Sequence, residues 1–362
     1  MSGIWGNCIR ISIFGESHGK AIGINIDGLK AGILLDHEYI KRELGRRSPG
    51  SSELSTSRKE GDEYEILSGC FEGKTTGTPL CAVIYNTDKR SGDYESLKSI
   101  MRPSHGDYTG YVKYQGFNDY RGGGHFSGRL TAPLVFAGAI CKQLLEDRGV
   151  TIGSHIKSIG HEQDEGFERT TVAAEMLKTL TDKAFPVLAP EKEASMKELI
   201  ARAKERKDSI GGIVETAVVG IRPGIGEPFF DSVESILAHL IFSIPGVKGL
   251  EFGAGFGISD LYGSQANDEY YMEEGGVKTY SNNNGGIIGG LTDGMPIIFR
   301  TAFKPTPSIA RKQRTVDIES GTNTEIEIKG RHDPCIVPRA LPVVEAAAAI
   351  ALLELISQAE RK

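Results

Sequence analysis

The segment Pro342–Gln358 reads PVVEAAAAIALLELISQ, and it determines the fold class more than any other stretch of the chain. Apolar residues occupy nearly every helical position in it, with Glu345 and Glu354 as the only charges. A second segment, Thr131–Arg148, has the same character and reads TAPLVFAGAICKQLLEDR. A helix that is apolar all round is buried on every side. We therefore predict two core helices that other layers cover.

Weaker patterns surround these two helices. Runs rich in branched residues predict strands at Arg10–Phe14, Ile22–Asp27, Pro79–Asn86, Ile213–Ile221, Pro296–Thr301 and Glu325–Lys329. Helical periodicity predicts further helices at Asp36–Gly45, Glu191–Lys207 and Asp231–Phe242. We expect an Asp231/Glu234 capping box to begin the last of these, and Pro342 to be the first residue of its helix. Strands and helices do not alternate as regular βαβ units, which favours an α+β layered fold.

The composition narrows the functional classes. The 362 residues carry 42 Lys and Arg against 48 Asp and Glu, a net charge of −6, which argues against nucleic-acid binding. Glu345 and Glu354 interrupt the longest apolar stretch, so we expect no membrane-spanning segment and no association with a membrane. Five scattered cysteines without a Cys/His cluster indicate reduced thiols, a cytoplasmic protein and no bound metal. Glycine is over-represented, with 46 residues or about 13%, against about 7% in typical proteins.

Two standard nucleotide-binding motifs are absent. Gly73-Lys74-Thr75 resembles the end of a phosphate-binding P-loop, but Ser68 stands where the first glycine is required. The segment Gly253–Ile258 begins as a dinucleotide fingerprint and then lacks its third glycine. We predict turns at both places, and a nucleotide-dependent kinase becomes a remote alternative.

Five other segments combine glycine with reactive side chains. The first is Phe14–Gly19, where Ser17 and His18 lie on a turn between two glycines and could take part in proton transfer. The second is Arg42–Arg47, whose arginines suit phosphate or carboxylate. A solvated turn histidine and a basic helix end are the simple structural alternatives for these two segments.

The third segment is the densest. It comprises Arg102–Tyr108 and then Asp119–Arg129, in which a glycine triplet precedes the apolar Thr131 helix and could form an anion site. The fourth comprises Ser281–Gly290 and Lys304–Ser308, with a hairpin as the alternative for its glycines. The fifth is Lys329–Cys335, for which a local Asp–Arg surface pair is the alternative.

Together the five segments concentrate cations within an acidic chain. That distribution indicates a small polyanionic ligand, such as a sugar phosphate or a phosphorylated cofactor. Two histidines and a carboxylate supply general acid and base groups. The residues alone therefore predict an enzyme that acts on a phosphorylated, carboxylated small molecule.

The same five segments, in this order, resemble the chorismate synthase family. The resemblance runs from the N-terminus through Leu341 and the helix beyond, so it implies a single domain over residues 1–362. It implies a carbon–oxygen lyase that eliminates phosphate from 5-enolpyruvylshikimate 3-phosphate to give chorismate, with reduced FMN as cofactor and NADPH as a possible flavin reductant. It also implies a homotetramer of β-α-β sandwiches, each with two antiparallel sheets that enclose central helices.

The resemblance also assigns roles to residues. His18 would protonate the leaving phosphate, His105 would stabilise the reduced flavin, and Asp333 would assist proton removal. Substrate would be held by Ser17, Arg46, Arg47, Ser127, Arg129 and Arg331. FMN would be held by His125, Phe126, Ser127, Pro245, Gly246, Gly289, Lys304, Pro305, Thr306, Pro307, Ser308 and Arg331. One NADP-associated position of the family corresponds to Arg47.

Three departures from the family pattern keep alternatives open. After the glycine triplet the family usually has Arg-Ser, where this chain has His125 and Phe126. The third arginine of the usual Arg-Arg-Arg-Pro-Gly is Ser48, and a basic position associated with NADP is Glu53. Phe126 could stack on a ligand or could be buried. A non-catalytic flavin- or phosphate-binding protein is the second functional hypothesis.

Overall fold

Helices and short strands follow one another irregularly along the chain. The computed structural model describes residues 3–50, 61–87, 98–273, 275–328 and 332–361. Its helices are α1 (His37–Arg47), α2 (Asp107–Lys113), α3 (Thr131–Glu146), α4 (Ala174–Thr181), α5 (Pro190–Glu205), α6 (Val233–Ser243), α7 (Gly263–Ala266) and α8 (Val337–Arg361). Its strands are β1 (Ile4–Trp5), β2 (Arg10–Gly15), β3 (Ala21–Asp27), β4 (Tyr64–Ser68), β5 (Cys70–Phe71), β6 (Lys74–Thr75), β7 (Leu80–Tyr85), β8 (Thr151–Ile159), β9 (Glu162–Gln163), β10 (Gly212–Val219), β11 (Val247–Phe252), β12 (Tyr270–Glu273), β13 (Gly276–Thr279), β14 (Ile287–Ile288), β15 (Leu291–Thr292), β16 (Ile297–Phe303), β17 (Lys312–Asp317) and β18 (Thr322–Glu327).

Most of the longer strands belong to two five-stranded antiparallel sheets. The strand order is β1-β2-β3-β7-β4 in the first sheet and β11-β16-β10-β8-β9 in the second. The described hairpins outside these sheets are two-stranded. The predicted α+β class is therefore confirmed.

The two apolar helices are buried in the core and pack against strands of the sheets. α3 packs against β3 and β7 of the first sheet and β8 of the second, and α8 packs against β8 and β10. The helices approach each other closely at Gly138, where a Cβ atom would lie 2.2 Å from the Cβ of Ala346. α8 is long and apolar enough to span a membrane, but 94% of its apolar window is buried within the fold. The prediction of two core helices is confirmed.

Among the differences from the sequence prediction are one long strand and the starts of two helices. Strand β8 was not predicted, because Gly153 and His155 interrupt its branched residues. α6 has its N-cap at Ser232, whose hydroxyl accepts from the Ser235 amide at 3.1 Å, so the capping box at Asp231 is wrong. α8 begins at Val337 rather than at Pro342, which lies inside the helix.

Two other boundaries have local causes. Asp36 caps α1 by accepting hydrogen bonds from the amides of Glu38 and Tyr39, both at 3.0 Å. The Gly73-Lys74-Thr75 sequence forms the turn into β6, with a φ of 75° at Gly73. The second observation confirms the turn that was predicted at Gly73.

Candidate active site

A cavity of about 1160 Å³ opens where the two sheets meet the start of α8. Its wall comprises β1, the loops before α2 and α3, the α6–β11 turn and the segment after β16. These elements are far apart in the sequence, so only the folded chain brings them together.

The cavity lining is strongly cationic. The described lining contains seven lysines and arginines and a single carboxylate: Arg47, Arg102, Lys113, Arg129, Lys248, Lys304, Arg339 and Asp333. A concave surface of one charge sign attracts ligands of the opposite sign. The chain is acidic overall, so this lining is a localised concentration of cationic side chains.

Most of the predicted site residues reach this cavity. The lining includes His105, His125, Phe126, Arg47, Ser127, Arg129, Asp333, Pro245, Gly246, Lys304, Pro305, Thr306, Pro307 and Ser308. Ser17 and His18 lie directly behind it. Arg46 and Gly289 are elsewhere, and Arg331 falls outside the described residues.

Ser17 and His18 pack against the glycine triplet. The Ser17 hydroxyl lies 3.0 Å from Nδ1 of His18 and 3.1 Å from the carbonyl oxygen of Gly122, and its amide donates to the carbonyl of Gly124 at 3.2 Å. His18 is buried, whereas Gly122 lines the cavity. Gly122, Gly123 and Gly124 all have positive φ, at 60°, 88° and 53°. The triplet therefore lets the cavity wall lie directly on His18.

His105 is held by the fourth segment. Its Nε2 lies 2.8 Å from the hydroxyl of Ser308, which is itself buried. Burial, together with the neighbouring Arg102, lowers the pKa of His105 to about 4. At neutral pH His105 is therefore a neutral imidazole within hydrogen-bond distance of Ser308.

Two buried residues outside the predicted set connect the arginines. Asp62 accepts from Nη1 of both Arg47 and Arg129. Asn86 accepts from Nε of Arg129 at 3.2 Å and donates to the Phe14–Gly19 segment through the carbonyls of Glu16 and Gly19. Sequence reasoning missed both residues because neither belongs to a motif.

Arg339 connects the fifth segment to the second. Its Nη1 forms an ion pair with Asp333, and its Nε donates to the carbonyl of Arg47 at 2.9 Å. Arg339 is the third residue of α8 and lies in its first turn. The apolar pattern of that helix gave no reason to expect a functional arginine there. Its position six residues after Asp333 was the available signal.

Arg46 does not reach the cavity, contrary to the prediction for substrate binding. Its guanidinium donates to Glu345 at 2.6 and 2.9 Å and to Glu43 at 2.8 Å. Lys142 donates to the same two carboxylates at 2.8 and 2.9 Å. Burial would raise the pKa of Glu345, but Arg46 and Lys142 lower it to about 2. Arg46 therefore belongs to a buried ion network between helices.

Gly289 also lies outside the cavity lining. It forms the two-residue turn between β14 and β15 with Gly290, and both have positive φ, at 64° and 83°. In the preceding loop, Asp268 accepts hydrogen bonds from the amides of Asn283 and Asn284 at 2.8 and 2.9 Å. The amides of this loop are thus used within the protein, and the hairpin alternative is confirmed for these glycines.

His125 and Phe126, where this chain departs from the family pattern, have separate contacts. His125 donates from Nδ1 to the carbonyl of Gly15 at 2.8 Å. Phe126 packs over Gly106 and Gly110 of the α2 region, where added Cβ atoms would lie 3.0 and 2.7 Å from its ring. The Phe126 ring is still 42% exposed at the cavity. It therefore combines a packing role with a position in the lining.

Comparison with known proteins agrees with this geometry. A family model described as chorismate synthase matches residues 9–356. The chain belongs to the chorismate synthase family. The chorismate synthase of Thermococcus kodakarensis is 45% identical over 349 residues, covering 96% of each chain, and that of Korarchaeum cryptofilum is 46% identical over 360 residues, covering 99% of this chain and 98% of the relative. A crystal structure of chorismate synthase matches with a TM-score of 0.76 at 32% identity, covering 98% of this chain and 93% of the other.

These matches confirm the resemblance of the five segments. Chorismate synthases are carbon–oxygen lyases of the shikimate pathway to the aromatic amino acids, and this activity is the function of the chain. The family uses reduced flavin, and its substrate is a small phosphorylated molecule, in agreement with the cationic cavity.

Proposed function

We propose that the cavity binds 5-enolpyruvylshikimate 3-phosphate together with reduced FMN and eliminates phosphate to form chorismate. The observation that carries this proposal is the convergence of segments two to five on one cavity with seven cationic side chains and one carboxylate. A dianionic phosphate and the substrate carboxylates suit that lining.

The cavity fits a flavin as well as a substrate. Its volume of about 1160 Å³ exceeds the roughly 300–1,000 Å³ of typical sites for one small ligand. The Thr306 hydroxyl is buried in the wall and has no hydrogen-bond partner among the described residues. The residues that would hold FMN are His125, Phe126, Ser127, Pro245, Gly246, Lys304–Ser308 and Arg331. Reduced FMN held there would supply reversible electron donation to the substrate, with no net redox change.

The substrate anions would be bound by Arg47, Arg129 and Arg331, with Ser127 as a hydroxyl donor. Ser127 accepts from the Arg129 amide at 3.3 Å, which keeps its hydroxyl at the start of the turn before α3. Arg46 is not part of this set, because two buried carboxylates bind its guanidinium. NADP contact at Arg47 and flavin reduction by NADPH stay proposals that depend on the family pattern.

Three side chains would serve proton transfer and hydrogen bonding at the site. His18, behind Gly122, would donate to the leaving phosphate, and Ser17 would fix the orientation of its imidazole through Nδ1. His105 would donate a hydrogen bond to the ligand as a neutral imidazole positioned by Ser308. Asp333, held by Arg339, would accept a proton. The roles of His18 and Asp333 are general acid–base steps of the kind worth about 10²–10⁴-fold in rate.

Membership of the family also suggests the domain organisation and the oligomeric state. We propose one domain over residues 1–362, arranged as a β-α-β sandwich, because α3 packs against strands of both sheets. We also propose a cytoplasmic homotetramer. Phe229, Phe230 and Phe256 are 84–90% exposed, and large apolar residues at that exposure support burial by further subunits.

An anaerobic assay tests the function. The full chain is mixed with 5-enolpyruvylshikimate 3-phosphate and chemically reduced FMN, and phosphate and chorismate are measured. We expect turnover, and about 10²-fold less in His18→Ala and in His105→Ala. FMN binding without phosphate release would instead indicate the non-catalytic alternative. Replacing the chemical reductant with NADPH and oxidised FMN then tests whether the protein reduces its own flavin.

A further inference from the structure

Asp62 is a buried carboxylate shared by two arginines of the cavity wall. Arg47 donates to its Oδ2 and Arg129 to its Oδ1, while the Ser48 hydroxyl lies 2.7 Å from Oδ2. Asp62 is 3% exposed and is not part of the lining, whereas both arginines are. The carboxylate therefore holds the two guanidiniums from behind the wall.

The backbone at Asp62 supports a specific role for this contact. Asp62 has a φ of 48°, in the left-handed region that few residues other than glycine adopt and that aspartate tolerates better than most. A conformation of this kind persists where the surrounding contacts require it. Here the backbone conformation directs the Asp62 carboxylate at Arg47 and Arg129.

Ser48 stands where the family motif usually has its third arginine. Two guanidiniums and one carboxylate leave one net positive charge at the wall. The Ser48 hydroxyl adds a neutral donor to Asp62 and also lies 2.9 Å from the carbonyl of Leu44. Ser48 thereby connects the carboxylate to the end of α1 without adding charge.

We propose that Asp62 is a positioning residue, which, together with Ser48, fixes Arg47 and Arg129 side by side as a clamp for one anionic group of the substrate. The inference rests on the proposed function for the location of that anion. It differs from simple neutralisation, in which Asp62 would only cancel charge and would compete with the ligand.

The variant Asp62→Asn separates these two roles. If Asp62 only neutralised the pair, its removal would expose a second positive charge and tighten anion binding. If it positions the pair, the variant binds the anion more weakly, because the amide offers one acceptor oxygen for two guanidiniums. We expect KM for the substrate to rise at least about tenfold while kcat changes little.

The test measures thermal unfolding of the full chain with increasing inorganic phosphate, beside steady-state kinetics. We expect phosphate to raise the midpoint of the wild type and to raise that of Asp62→Asn much less. Asp268→Asn is the matched control, since Asp268 is a buried aspartate outside the cavity lining. It should lower the midpoint yet keep the full phosphate effect.

A second variant and three further outcomes decide the remaining cases. If Asp62→Asn does not fold, Ser48→Ala still removes one donor without leaving a charge unpaired, and it should raise KM about threefold with kcat preserved. An unchanged or tighter phosphate response and an unchanged KM in these variants would overturn the positioning role alone. No phosphate response in an active wild type would overturn the anion clamp, and an inactive wild type would contradict the proposed function itself.

Discussion

The backbone of Gly122 lies directly against the imidazole of His18. A Cβ atom at Gly122 would be 2.2 Å from both Cε1 and Nδ1 of His18 and 2.6 Å from the Ser17 hydroxyl oxygen. Since Gly122 lines the cavity, the wall over His18 is a single residue thick. Any side chain at this position would displace the proposed general acid.

The substitution Gly122→Ala should therefore act like loss of His18. We expect turnover to fall by about 10²-fold, since the added methyl group displaces the imidazole. Gly45→Ala is the control, because Gly45 is an exposed residue of α1 with open space around its Cβ position. The control should keep full turnover and gain about 0.5–1 kcal/mol in free energy of unfolding. Full activity in Gly122→Ala would contradict the role of His18.

The contact between Gly122 and His18 shows what the sequence could and could not predict. Both belong to predicted segments, because glycines beside reactive side chains are a local signal. The sequence suggested that the glycine triplet forms an anion site. In the structure Gly122 instead allows the backbone to approach His18 closely. Asp62 could not be predicted, because only the folded chain brings it to Arg129.

The neighbouring arginines of α1 show a second limit. Consecutive helical residues point about 100° apart, so Arg46 and Arg47 cannot both face the same cavity. Composition alone cannot tell which of them does. The partner that decides it, Glu345, lies 299 residues further along the chain.

Substitution of Arg46 should therefore lower stability, whereas substitution of Arg47 should weaken substrate binding. Arg46→Gln leaves Glu43 and Glu345 short of a buried cation, so we expect a loss of about 3–5 kcal/mol in stability with KM unchanged at a temperature where the variant is folded. Arg47→Gln should raise KM for the substrate. Urea unfolding and steady-state kinetics on both variants check this, and a KM effect in Arg46→Gln alone would restore the original prediction.

The lowered pKa of His105 predicts a loss of stability in acid. Because its pKa is about 4 in the folded chain and near 6.5 in the unfolded chain, the unfolded state binds more protons between these values. Stability should thus fall as pH drops from about 6.5 towards 4. Unfolding free energies at pH 7 and pH 5 should show a larger loss in the wild type than in His105→Gln. Equal losses would mean that His105 titrates normally.

His155 should behave in the opposite way. This fully buried imidazole lies 3.0 Å from Asp164 and 2.9 Å from Glu215, which outweigh burial and raise its pKa. Its contribution to stability is present below the ordinary histidine pKa and is lost as pH rises through the raised value. His155→Gln should cost about 3–5 kcal/mol at pH 6, and less at alkaline pH.

The control for His155 is His161→Gln, whose side chain is 79% exposed. It should change stability by less than about 0.5 kcal/mol at any pH. Thermal unfolding between pH 6 and pH 9 measures both variants. A cost of His155→Gln that does not depend on pH would show that His155 is not an imidazolium.

Phe126 and Gly110 should be energetically coupled. A methyl group at Gly110 would lie 2.7 Å from the Phe126 ring, so Gly110→Ala should destabilise the wild type even though alanine favours helix. In Phe126→Ser, which has the residue the family usually carries, the same change should be neutral or stabilising. We expect a coupling energy of about 1 kcal/mol or more in a double-mutant cycle from urea unfolding.

The control combines Gly45→Ala with Phe126→Ser. Their effects on stability should be additive, because Gly45 has open space around it. Additivity at Gly110 as well would mean that the ring does not pack on α2.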